Sequence, residues 1–165
     1  MSRLIVVEND KVQGTDTHNV SGTGTDSSTS SPAPFQGTAE FDYKGSMTDE
    51  LSDFLSIDGK PVALVSSKSS LDPGEDSTGG HAPLNAKNIT VITPATITPG
   101  TEAVSKILDP IGTGIPSMGT GSAFVKIVGD AVLFDGDSID TCDGLGGTAN
   151  STVTAENQDF VSCAK

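Results

Sequence analysis

The sequence predicts an all-β fold of repeated short hairpins. Three observations carry that expectation. The apolar residues gather in compact β-branched runs instead of recurring at helical spacing. Ser, Thr and 19 Gly separate these runs, while aromatic residues make up 4% of the chain and Trp is absent. One hairpin signature also occurs twice, with Gly59 and Gly129 in the same place and 129 − 59 = 70 residues between them. At 165 residues and 34% hydrophobic content, residues 1–165 fit one domain with a thin core.

Taken in order, Leu4-Ile5-Val6-Val7 is an apolar run of the length of a buried strand. Residues 20–34 are rich in Ser, Thr, Gly and Pro and show no period. They read as an exposed loop, part of an insertion near 20–37. Gly45 to Asp53 allows one helical turn. Asp58-Gly59 then sits between Phe54–Ile57 and Pro61–Val65, the two-residue signal of a type I′ hairpin. Pro61 restricts its strand to an edge or a beginning. Asn88–Thr93 is a further β-branched run. Pro94–Gly121 holds four Pro and five Gly, so it predicts an irregular insertion with one short helix near Glu102–Leu108. Phe124–Phe134 repeats the run, turn and run of the first hairpin.

With Gly59 laid over Gly129, Phe54 falls on Phe124, Ile57 on Ile127 and Val62 on Val132. Half-copies stand at the two ends. Phe160-Val161-Ser162-Cys163 matches the strand before the turn, and Leu4–Val7 the strand after it. Pairing the first strand with the last completes a third unit and removes two open edges. The expectation is pseudo-threefold. Each unit is followed by a soft donor behind an acidic residue and Ser or Thr: His18, His81 and Cys142.

A net charge of −13 argues against nucleic-acid binding and against adhesion to anionic membrane. The first residues are too short for a signal peptide, which predicts synthesis in the cytoplasm. There the two cysteines are expected free or metal-bound, with a Cys142–Cys163 disulfide as the lesser alternative. Catalysis finds little support: no nucleophile signature surrounds Cys142, and no phosphate-binding loop is present. The stretch 135–143 lacks the acidic twelfth residue of a calcium loop, since Gly146 stands there. The expectation is that the chain is not an enzyme.

At residues 59–72 (GKPVALVSSKSSLD), with Gly79-Gly80-His81 downstream and the closing run 147–165, the chain resembles PAAR-repeat proteins. These form the tips of phage-tail-like contractile injection systems. The Pro-Ala-Ala-Arg tetrapeptide itself is absent, with Pro61-Val62-Ala63-Leu64 in its place. The resemblance implies a small β cone whose base, around Asp58-Gly59 and Val128-Gly129, caps a trimeric β-helical spike with one tip per trimer. It implies transient contact with a target membrane, and assembly on a secreted or extracellular particle of a bacterium. It also implies one structural zinc or iron ion held by His18, His81 and Cys142. The family pattern favours three His and one Cys, whereas this chain has two His. Cys163 is the candidate fourth ligand, although the repeat aligns it with Ile57 and Ile127, at the turn end of the unit. Asp16, Asp140 or water are the alternatives. Bulk composition equally suits a metal-free β-rich decoration or adhesion module on a particle surface.

Overall fold

Alternating inward residues make strands here, and every named strand pairs antiparallel. The structure is a computed structural model that describes residues 2–73, 81–141 and 150–164. Its strands are β1 (Ser2–Leu4), β2 (Lys11–Thr25), β3 (Pro32–Asp49), β4 (Ser56–Ile57), β5 (Lys60–Pro61), β6 (Lys68–Leu71) and β7 (Lys87–Thr93). They continue as β8 (Ala103–Ile107), β9 (Thr113–Pro116), β10 (Lys126–Ile127), β11 (Asp130–Ala131), β12 (Ser138–Asp140), β13 (Ser151–Thr154) and β14 (Ser162–Ala164). The one helical element among the described residues is a 3-10 turn at Pro83–Asn85. The all-β expectation holds.

The central sheet runs β3-β6-β9-β12-β13-β2 and closes on itself because β2 also pairs β3. Closure leaves no free edge in this part of the molecule. Outgoing strands β2, β6 and β12 alternate with returning strands β3, β9 and β13, so the barrel repeats three times.

The hairpins below it obey the same symmetry. β4 pairs β5, β10 pairs β11, and β14 pairs β1, so the two chain ends complete the third unit. Asp58 and Gly59 lie at φ 52° and 76°, and Val128 and Gly129 at 53° and 101°, the positive values a type I′ turn requires. Three backbone bonds then form a ring. Ala63 N–H donates to the Val6 carbonyl (2.9 Å), Leu133 N–H to Ala63 (3.0 Å), and Val6 N–H to Leu133 (3.1 Å). Ser52, Ser122 and Gln158 accept from the backbone N–H groups of Phe54 and Leu55, Phe124 and Val125, and Phe160 and Val161. Asp10, Ser67 and Asp137 accept from Val7, Leu64 and Phe134. A pseudo-threefold axis therefore passes through three different stretches of one chain.

Three apolar clusters follow the strands. Ile5, Val7, Ile57, Val62, Leu64, Val132 and Phe134 fill the hairpin end. Val6, Val12, Tyr43, Met47, Leu133, Ile139 and Val153 fill the barrel. Val20, Phe35, Ala39, Phe41, Ile97 and Val104 form a third cluster further along β2 and β3.

That third cluster corrects the reading of 20–34 as a loop. β2 and β3 run on together as far as Thr25 and Pro32, flanked by β8 on β2 and β7 on β3. The cross-strand pairs explain why. Gly22 faces Phe35, Val20 faces Gly37, His18 faces Ala39, and Gly14 faces Tyr43. Each large inward side chain meets a small partner, so the strand interior is filled by Gly and Ala instead of β-branched residues. A Cβ at Gly22 would overlap the Ala103 carbonyl and crowd the Phe35 ring. The helical turn expected at 45–53 is instead the end of β3, where Gly45, Ser46 and Met47 are buried. The helix expected near 102–108 is β8, pairing Val20–Thr23 across a bulge.

Candidate metal centre

β2 carries Asp16 and His18 two residues apart, which places both side chains on the same, inward face. His81 reaches them from the segment preceding the 3-10 turn. All three are buried. They lie between the barrel cluster below, which includes Val12, and the third cluster above, which includes Val20. His18 Nε2 lies 3.0 Å from Asp16 Oδ2, and His81 Nε2 lies 2.9 Å from the same oxygen. The rings are boxed by aromatics. Phe41 stacks on His81 at 5.7 Å with 16° between planes, and Tyr43 meets it edge-on at 6.1 Å. The two imidazoles sit 5.5 Å apart at 73°.

Burial pushes the Asp16 carboxyl up, but hydrogen bonds and charge from His18 and His81 outweigh it and hold the group below the usual range. Burial, aided by the charges of Asp16 and Asp72, pushes Tyr43 up to about 12 against the opposing bond from Ser69. Its hydroxyl, 2.9 Å from Ser69 Oγ and 3.3 Å from the Gly112 carbonyl, is therefore a neutral wall of the site.

The donor set fits a cation. Asp16 Oδ1, His18 Nδ1 and His81 Nδ1 are buried with no hydrogen-bond partner. Each such orphan costs roughly 1–3 kcal/mol. On the opposite side of these groups each Nε2 stands 2.9–3.0 Å from Asp16 Oδ2, near the roughly 3.3 Å that separates ligand atoms around a tetrahedral ion with bonds of about 2.0–2.1 Å. One oxygen and two imidazole nitrogens suit Zn²⁺ or Fe²⁺. One potential ligand atom from each of Asp16, His18 and His81 lies within 4.8 Å of the others.

The sequence-derived ligands divide accordingly. His18 and His81 come together. Cys142 lies outside the described residues. Cys163 does not join them: it faces Arg3 across the β14–β1 pair and packs on the hairpin-end cluster beside Val125 and Ile127. The repeat that matches it to Ile57 and Ile127 also places it there. Asp140, on β12, is not part of the group. Asp16, one of the alternatives the sequence left open for that place, lies with the two histidines, and its signal was the Asp-Thr-His spacing on a strand.

No protein-family model matches the chain, and no curated protein or solved structure is significantly similar to it.

Proposed function

We propose that this chain is the tip of a contractile injection system, docked through its hairpin end on a trimeric β-helical spike. One observation carries the reading. Phe54, Phe124 and Phe160, which are 78%, 80% and 65% exposed, occupy equivalent positions in the three hairpin units. Large apolar side chains on a surface mark interaction sites when they are grouped. Three placed about a threefold axis offer one identical contact to each subunit of a symmetric trimer. A decoration module has no need of that symmetry.

The other end would then lead. The β2–β3 hairpin continues past the metal centre and turns at residues 26–31, so the centre braces the shaft of the tip and not its extreme point. A zinc or iron ion at Asp16, His18 and His81 would crosslink β2 to the segment that follows β6. Such a staple suits a domain with a thin core, because ion binding adds directly to folding free energy. The role is mechanical: to sharpen the spike and help breach the target membrane.

The test is co-purification with the trimeric spike protein of the same particle, read by native mass spectrometry. One chain per trimer is expected. The Phe54→Ser, Phe124→Ser, Phe160→Ser triple variant should be folded and uncapped. A full-strength complex from that variant, or any ratio other than one to three, refutes the docking face. Elemental analysis of the same preparations, expected to give one equivalent of metal that is lost in His81→Ala, tests the staple separately.

A further inference from the structure

We infer that Asp109 is the outer-sphere partner of His18, and that through it the β8 segment is coupled to metal occupancy. This rests on the reading of Asp16, His18 and His81 as a metal centre. Asp109 follows β8, whose end is anchored on β2 at this point. The Leu108 N–H donates to the Asn19 carbonyl (2.8 Å), while the Asp109 carboxylate accepts from the Asn19 backbone N–H (2.5 Å) and from Asn19 Nδ2 (3.1 Å). The same carboxylate presents Oδ2 to His18 Nδ1 at 3.9 Å. His18 Nδ1 is buried and has no hydrogen-bond partner.

The gap has a chemical cause. His18 Nε2 bonds Asp16 Oδ2. A neutral imidazole with its proton on Nε2 turns a bare lone pair on Nδ1 toward Asp109, and two acceptors do not approach. An ion bound through the Nε2 lone pair would select the other neutral tautomer, in which the single ring proton sits on Nδ1. The Nδ1–H is then a donor aimed at a carboxylate that is already oriented by Asn19. A movement of about 1 Å then completes a bond of about 2.9 Å. Metal-bound histidines ordinarily donate their second nitrogen in this way, and loss of the acceptor costs about 10–100-fold in metal affinity. In this chain the acceptor comes from the segment after β8. Segment 103–109 is therefore expected to tighten on β2 when the ion binds.

The experiment compares the full chain with Asp109→Ala, Asp109→Asn and Asn19→Ala, using zinc alone as the probe in competition with a chromophoric chelator. Asp109→Ala should bind about 10–100-fold more weakly. Asp109→Asn, whose amide oxygen can still accept from Nδ1, should recover most of the loss. Asn19→Ala, which removes the loop anchor from the Asn19 side chain and leaves the carboxylate, should stay near the parent. In ¹⁵N NMR of the zinc-loaded protein, a slowly exchanging His18 Nδ1–H proton should appear, and it should vanish in Asp109→Ala. Parent-like affinity in Asp109→Ala overturns the inference, as does an Asn19→Ala loss equal to that of Asp109→Ala, which would mean simple loop anchoring. A parent protein that takes up no zinc overturns the metal centre itself, an outcome visible before any variant is made.

Discussion

Val128 is a β-branched residue held at φ 53° in the turn of the second hairpin, and its side chain is 83% exposed. Left-handed backbone costs an L-residue roughly 1–2 kcal/mol, and Asn and Asp tolerate it better than β-branched residues. Its counterpart Asp58 sits at φ 52° in the first hairpin and illustrates the better choice. Val128→Asn gives up almost no buried contact and relieves most of the strain, so a gain of about 1 kcal/mol is expected. For 165 residues, an unfolding entropy of about 2.1 cal/mol/K per residue gives about 0.35 kcal/mol/K. The midpoint should therefore rise by about 3 °C per kcal/mol. The assay is a thermal melt followed by circular dichroism, with Asp58→Val as the mirror experiment, expected to fall by a similar amount. An unchanged or lower midpoint for Val128→Asn would refute the strain argument. A residue that costs stability while its side chain is mostly exposed points to a use outside the free chain. Val128 lies at the end that carries the three exposed phenylalanines, and if that end is the docking face proposed above, Val128→Asn should weaken docking while stabilising the free chain.

Two further outcomes follow from buried and half-buried carboxylates. Asp10 is fully buried and accepts from the N–H groups of Val7 (2.7 Å), Glu156 and Asn157 (2.8 Å each) and from Asn157 Nδ2 (3.0 Å). Asp10→Ala orphans these donors where the last strands meet the first, and urea unfolding should show a loss of at least about 3 kcal/mol. Asp72 accepts from Lys11 Nζ (2.8 Å) and Ser46 Oγ (2.6 Å), and these partners outweigh its burial and hold its carboxyl below the usual value of 3.8. A depressed carboxylate adds stability that is present above its unfolded pKa and lost as pH falls through the folded one. Asp72→Asn should therefore cost about 0.5 kcal/mol at neutral pH, since Lys11 is partly solvated, and progressively less as pH drops below about 4. A penalty independent of pH would show that the charge is not the cause.

The parts of this fold legible in the sequence are those decided locally. Asp58-Gly59 and Val128-Gly129 announce their turns through the φ values they demand, and the flanking apolar runs are the strands. Even the third unit could be inferred, because Phe160 and Cys163 keep the spacing of Phe54 and Ile57. β2 and β3 were hidden by the feature that makes them work. Their inward positions hold Asp16, His18, Gly22 and Gly24 on one strand and Gly37, Ala39 and Gly45 on the other, so hydrophobic alternation is erased. Glycine there is a packing partner for Phe35, Val20 and Val12, not a turn residue. The same erasure marks the site. A carboxylate and an imidazole two residues apart share a strand face. If that face is buried, each must find a partner or an ion. Asp16 was hard to single out among 22 acidic residues, which in an acidic chain are mostly solvated. What distinguishes it is position, on the inward register with His18 and opposite Phe41, where water does not reach. A polar pair on the inner face of an otherwise apolar-and-glycine strand is therefore a stronger pointer to a metal centre than the separation of His18, His81 and Cys142 along the chain.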